Sequence, residues 1–258
     1  MSAEIQATTS KNSAFKIAVI GTGFRPSGLS TPPDEINGLV SPDCTATLIE
    51  TESTEFPSTP EIRARVTQAY VQTGLQAAAA GYDAIYINTV GDYGLEALRQ
   101  QLDIPIIGSG ETAVMVAALL TGTFSIVTIW PPSMAFIYED LLSRTGKQRD
   151  CQSIEHLSTD DNLNELAKDN NFVTELRQCS LSSIEKFKTA IAATSEKYRG
   201  SIISGCTCMA PAALQLLGNH KNPIIEPMTL GYCFTEHWLR TSQLTQPPFE
   251  AFARTQKL

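Results

Sequence analysis

The residues with the clearest chemical potential lie between Ser201 and Pro211, in the run S-I-I-S-G-C-T-C-M-A-P. The apolar pair Ile202 and Ile203 meets Gly205 and then Cys206, so a strand is expected to end by delivering a thiol into a turn that opens a helix. Open α/β sheets place their chemistry at such strand ends. A thiolate there is favoured by the helix dipole and by exposed N–H groups, which suits it to act as a base, acid or nucleophile. The plainer reading is a small buried hydrophobe.

Cys208 follows two residues later. A C-x-C pair raises the question of metal, but zinc commonly takes four ligands, and the only histidines, His156, His220 and His237, have no evident partners in the sequence. Packing is the preferred reading for Cys208, and neither a metal nor a cofactor is expected.

The elements that must position Cys206 alternate between strand and helix. Lys16 to Ile20 reads as a buried first strand ending in the tight turn Gly21-Thr22-Gly23. A dinucleotide fingerprint would need a third glycine where Pro26 stands, so a strand-to-loop turn is favoured. Arg25 beside that turn suits a carboxylate, or is a solvated surface arginine. Residues 26–59 are rich in Pro, Ser, Thr and Gly, with strand character only at Thr45 to Glu50. Thr59-Pro60-Glu61 then supplies an N-cap, a proline at the first helical position and an acidic first turn, starting a helix to about Ala80.

Beyond it, Tyr82 to Asn88 is a strand that turns through Thr89-Val90-Gly91-Asp92 into a helix carrying Leu95, Leu98 and Leu102 inward. Further strands are expected at 104–107 and 124–130, and helices at 109–120, 134–142, 160–169 and 172–197, the last with Leu176, Ile184, Phe187 and Ile191 as its buried stripe. This alternation implies βαβ units and parallel sheets covered by helices on both faces. Thr128, ending the strand that begins at Phe124, either binds a substrate carboxylate or caps a turn. Glu111 is expected in a helix's first turn on dipole grounds alone and receives no catalytic role.

The chain also repeats itself. A strand ending at Asn88-Thr89 is followed by a helix and I-P-I-I, and a strand ending at Gly205-Cys206 by a helix and N-P-I-I-E. Thr89 and Cys206 are 117 positions apart, Pro105 and Pro223 118 apart, so the match slips by one residue. Two similar lobes facing each other bring those strand ends to one cleft.

Bulk properties narrow the partners. With 42% hydrophobic residues the chain can bury a sizeable core, and a formal net charge of -8 argues against nucleic acid or an anionic membrane surface. Residues 1–13 are polar and are expected to form a disordered tail. No apolar run approaches the roughly 20 residues of a membrane span. Six irregularly spaced cysteines do not resemble a secreted disulfide framework, so a cytoplasmic, reduced protein is the expectation. A homo-oligomer is left open.

Four stretches, D-A-I-Y-I-N-T-V-G-D-Y-G-L-E-A-L, D-I-P-I-I-G-S-G-E, F-S-I-V-T and G-C-T-C-M-A, in that order, resemble the aspartate/glutamate/hydantoin racemase superfamily, most closely its hydantoin racemase branch. The resemblance covers roughly residues 15–240. It implies an α/β fold of two pseudo-symmetric doubly wound lobes with parallel sheets and an active-site cleft between them. The lobes are expected to comprise 14–112 plus 226–258, and 113–225.

It also implies cofactor-independent proton transfer at a carbon next to a carboxylate or hydantoin carbonyl, between two cysteines on opposite faces of a small substrate. The second cysteine matches Cys206. The first falls on Thr89, whose hydroxyl is far too weak an acid to yield an ordinary base near neutral pH. Thr89 and Asn88 are instead expected to donate hydrogen bonds to an enolate or carboxylate oxygen. Val90, Gly205, Thr207, Thr22, Gly23, Arg25 and Thr128 complete the expected substrate-binding set. A single thiol also suits decarboxylation, in which loss of carbon dioxide creates the carbanion and Cys206 only protonates it. A third reading is a small-molecule binding protein that keeps the cleft without catalysis.

Overall fold

The computed structural model describes residues 15–21, 30–53, 55–163, 175, 177–218 and 220–254, with side chains up to residue 241. Thr22, Gly23, Arg25, the expected tail and Leu176 therefore lie outside the described residues.

Two four-stranded parallel sheets form the frame. The first contains β1 (Phe15–Gly21), β2 (Cys44–Glu50), β3 (Ala84–Ile87) and β4 (Ile106–Gly108), in the order β2-β1-β3-β4. The second contains β5 (Phe124–Thr128), β6 (Cys151–His156), β7 (Ser201–Ser204) and β8 (Ile224–Ile225), in the order β6-β5-β7-β8. The orders are the same when each sheet is counted from its own first strand. In each, successive crossovers run to opposite sides of that first strand, so the carboxyl ends of β1 and β3, and of β5 and β7, are topological switch points.

The sequence repeat is visible in the pairing. Ile85 opposes Ile106 and Ile202 opposes Ile224, reproducing the offsets of 117 and 118. Ala18 opposes Ile85 as Ser125 opposes Ile202, which makes Gly21 and Thr128 counterparts at the ends of the two first strands.

Strands β1, β3, β5 and β7 are apolar runs because helices cover both faces. Helix α1 (Asp34–Asn37) precedes β2, and α2 (Pro60–Ala79), capped by Thr59, packs beside β1. Helix α3 (Leu95–Gln101) buries Leu95 and Leu98, and α4 (Ser109–Thr121) leads to the second sheet. Helices α5 (Phe136–Thr145), α6 (Leu181–Lys197) and α7 (Ala210–Leu216) flank that sheet. The last helix, α8 (Pro227–Arg254), returns to pack on α4, β3 and β4.

Residues 160–162 form a 3-10 turn, and the rest of the helix expected over 160–169 lies outside the described residues from 164 on; the helix expected over 172–197 is interrupted by a turn at 178–180, and α6 starts at Leu181, capped by Ser180. Three elements have no counterpart in the sequence expectations: the short helix α1, strand β6 and helix α8.

Candidate active site

The turn after β3 is held by the Thr89 side chain and by its own backbone. Gly91 N–H donates to Thr89 Oγ1 at 3.3 Å and Asp92 N–H to the Thr89 carbonyl at 3.0 Å. Asp92 adopts a positive φ of 48°, a region tolerated by Asp, and its buried carboxylate reaches the start of α4. Its Oδ1 accepts from Gly110 N–H at 2.9 Å and its Oδ2 from Glu111 N–H at 2.7 Å, with Arg144 at 3.4 Å. Two of the four orphan amides of that helix end are thereby satisfied.

The G-S-G-E stretch is explained by this contact, since a Cβ on Gly108 would lie 2.5 Å from Asp92 Cγ. Burial nevertheless pushes Asp92 up to about 7, against the opposing pull of Arg144 and the two amides. Glu111 pairs with Arg99 at 2.8 Å.

The turn after β7 is held just as closely. Gly205 N–H donates to Val127 O at 2.8 Å and Met209 N–H to Cys206 O at 2.9 Å. Tyr138 donates its hydroxyl to the Gly205 carbonyl at 2.7 Å, so Thr128 Oγ1, 2.5 Å from the same phenol oxygen, must be the donor to Tyr138. Thr128 Oγ1 in turn accepts from Trp130 N–H at 3.2 Å. This directed chain, Trp130 to Thr128 to Tyr138 to Gly205, fixes the main chain one residue before Cys206.

Thr128 is fully buried with its hydroxyl engaged on both sides, so the structure displays its turn-capping role rather than an open hydroxyl. Tyr138 belongs to the site's support and carries no sequence signal beyond that of a core residue on an amphipathic helix.

The two turns meet. Thr207 Oγ1 donates to Asn88 O across 3.4 Å, joining residues 119 positions apart. Each turn also buries an apolar residue in the opposite lobe: Val90 packs with Phe124, Ile126, Tyr138 and Ile203, and Ala210 with Ile17, Tyr86, Met228 and Tyr232. Cys206 is 8% exposed and Cys208 fully buried. Cys208 N–H points at Cys206 Sγ from 3.2 Å.

Near the junction, Asn88 Oδ1 is buried and has no hydrogen-bond partner. Its side chain borders the end of β1, where a Cβ on Gly21 would sit 3.4 Å from Asn88 Cβ. Thus Asn88, Thr89, Val90, Gly205, Cys206 and Thr207 all belong to the two joined turns.

One expectation needs correction. Cys208 is more than a packing residue: it is joined to Cys206 in a disulfide. The turn brings the two Cα atoms to 5.2 Å, within the span that a disulfide bridges. Cys44, Cys151, Cys179 and Cys233 are free.

Among the described residues no cluster of three or more His, Cys, Asp or Glu is arranged to hold a metal ion, and no helix is long and apolar enough to cross a membrane. His156 Nδ1 is spent on Trp130 O, 2.7 Å away.

Two duplicated parallel sheets, with their switch-point turns in mutual contact, define a two-lobed α/β protein with its candidate chemistry at the lobe junction. The chain belongs to the Asp/Glu/Hydantoin racemase family, whose model matches residues 32–232. It is similar to a hydantoin racemase of Pseudomonas sp. (strain NS671), with 31% identity over 157 residues, 60% of this chain and 58% of that protein. A hydantoin racemase of Rhizobium meliloti is 34% identical over 114 residues, 44% of each chain. These matches thus span about half the length of the relatives. Among solved structures, an allantoin racemase from Klebsiella pneumoniae shares the fold with a TM-score of 0.71 and 20% identity, over 89% of both chains.

Proposed function

We propose that the dithiol form of this protein catalyses cofactor-independent proton transfer at a carbon next to a carboxylate or hydantoin-type carbonyl, with Cys206 as the acid/base. The observation that carries this reading is the position of Cys206: at the switch point of its sheet, beside the contact of Thr207 with Asn88, with the Cys208 amide 3.2 Å from its sulfur in the bridged state. A positioned N–H favours a charged sulfur.

In the forward step the substrate C–H bond breaks, its proton passes to the Cys206 thiolate, and the electron pair moves onto the adjacent carbonyl as an enolate. Asn88 and Thr89, at the equivalent strand end, supply donors for that oxygen, and donors fixed before charge develops lower the barrier most effectively. The unpartnered Asn88 Oδ1 suits a ring N–H of a hydantoin-like substrate. The names of the hydantoin and allantoin racemase relatives agree with this substrate class. Net racemisation needs a second proton donor on the far face, where Thr89 offers only a hydroxyl.

The single thiol supports a second reading, decarboxylation of a malonate-like substrate. There the C–C bond breaks, carbon dioxide leaves with no base required, and Cys206 protonates the carbanion on one face.

The test is to incubate the reduced protein in deuterium oxide with a panel of hydantoins, α-amino acids and substituted malonates. Deuterium entering the α-position without net loss of mass supports the isomerase. Carbon dioxide release with a singly deuterated product supports the decarboxylase. No turnover across the panel, combined with measurable ligand binding, overturns both in favour of a binding protein.

A further inference from the structure

The structure assigns Cys206 and Cys208 as a reversible oxidation site, in which Cys208 resolves the sulfenic acid that a hydroperoxide forms on Cys206. The observations are the bridge itself and its setting. Its two cysteines are separated by a single residue, and the entropy that a cross-link removes from the unfolded chain grows with loop length, so this bridge adds little to stability compared with one closing a long loop. It also consumes the sulfur that lies at the lobe junction. A bridge placed there acts on chemistry more than on folding.

Access favours a small oxidant. Cys206 retains 8% exposure while Cys208 has none, so Cys206 meets the oxidant first and Cys208 reacts only within the turn. A glutathione-sized disulfide has little surface to attack, whereas hydrogen peroxide needs no more room than water.

The turn itself is held by bonds that do not involve sulfur. Gly205 N–H to Val127 O, Met209 N–H to Cys206 O, Tyr138 to Gly205 O and Thr207 to Asn88 O use no sulfur atom, so opening the bridge removes none of them. The dithiol and the disulfide are therefore expected to share one backbone and to differ in the availability of a thiol.

The chemistry balances in two steps. The Cys206 thiolate attacks one peroxide oxygen; the S–O bond forms, the O–O bond breaks, and the departing oxygen takes a proton to leave as water or an alcohol. Cys208 sulfur then attacks Cys206 sulfur, forming S–S and breaking S–O, and the hydroxyl leaves as water with the Cys208 proton. Two electrons pass from the sulfurs to the peroxide. An external dithiol reverses the bridge by exchange.

The effect on turnover rests on the proton-transfer reading above; the formation of the bridge does not. The test starts from fully reduced protein, which carries six thiols. After brief treatment with hydrogen peroxide and quenching with catalase, the chain should lose two thiols and the mass of two hydrogens, mapped to the peptide bearing both residues. Solvent-deuterium exchange should fall at least tenfold and return with dithiothreitol.

In Cys208→Ser, exchange by the reduced variant sets that variant's own baseline. Prolonged peroxide should then add oxygen to Cys206 and leave a loss that dithiothreitol does not restore. Bridging of Cys206 to another cysteine, retention of all six thiols, or full recovery of oxidised Cys208→Ser would overturn the assignment. A bridge that forms in a chain whose reduced state never turns over substrate upholds the redox pair and overturns the proton-transfer reading instead.

Discussion

The Thr207 hydroxyl lies 3.4 Å from the main-chain oxygen of Asn88, and this cross-lobe contact ties the end of β3 to the turn that carries Cys206. A binding cleft made from two sheets needs its walls fixed relative to each other, because a proton moves only between groups within hydrogen-bond reach. The contact lies one residue from Cys206 on one side and one from Thr89 on the other. Shifting either turn therefore disturbs both.

Cys206→Ser should lower solvent-deuterium exchange by about 10²–10⁴-fold, the usual worth of a positioned acid or base, with the fold kept. Exchange rates in reductant and a circular dichroism spectrum check it; a rate within threefold of the parent would remove Cys206 from the mechanism.

Thr89→Cys restores a sulfur to the strand end equivalent to that of Cys206. Racemisation of a resolved substrate, followed by polarimetry, should appear or rise in this variant. If the parent already racemises faster than Thr89→Cys, Thr89 is a competent partner as it stands, and the one-thiol account fails.

Gly205→Ala would place a Cβ 2.6 Å from Thr128 Cβ and 3.0 Å from Ile126 Cγ2. Overpacking of this kind costs about 1–3 kcal/mol and should displace Cys206. Urea denaturation should show the lower stability, together with a fall in exchange rate larger than any change in apparent substrate affinity.

Tyr138→Phe deletes the hydroxyl that links Thr128 to the Gly205 carbonyl. Leaving those buried groups short of a partner costs about 1–3 kcal/mol. An unchanged urea midpoint would show that this chain of hydrogen bonds contributes nothing.

Asp92 makes a prediction about pH. Its folded carboxyl is pushed up to about 7 from an ordinary value of 3.8, chiefly by desolvation. The folded chain therefore holds a proton that the unfolded chain releases between those values. Its contribution is fully present below about pH 4 and is lost as the pH rises through 7. In Asp92→Asn the stability profile from pH 4 to 7 should be flatter. The chain should also be less stable at pH 4–5, because the Asn amide turns a donor toward one of the two N–H groups that Asp92 accepts. Equilibrium unfolding at several pH values checks both; parallel profiles for the two proteins would refute the assignment.

The strands that carry the site were legible because they are buried on both faces. Ile17 to Ile20, Ala84 to Ile87 and Phe124 to Thr128 have no polar alternation to blur them, and Gly or Thr marks their ends. The repeat was legible too, and its one-residue slip falls between β3 and β4 as it does between β7 and β8.

Edge strand β6 escaped for the opposite reason. Its residues C-Q-S-I-E-H are mostly half-buried and polar, so nothing in their pattern separates them from a loop. Helix α8 carries Gly231 and the pair Pro247-Pro248, which argue against one long helix on local grounds; packing on α4, β3 and β4 overrides them for the first half. The roles of Tyr138 and Asp92 depend on neighbours brought near by the fold. For Cys208, the C-x-C spacing raised metal against packing, and the bond to Cys206 was not among the readings.

The exchange of Val90 and Ala210 between lobes has a thermodynamic meaning for the whole chain. Each lobe's core is completed by a residue from the other's turn, so neither can melt without uncovering apolar surface in its neighbour. Heating should give a single endotherm whose calorimetric and van't Hoff enthalpies agree over both halves. The duplicated architecture is thus expected to behave as one cooperative unit, coupled in part through the turns that carry Thr89 and Cys206.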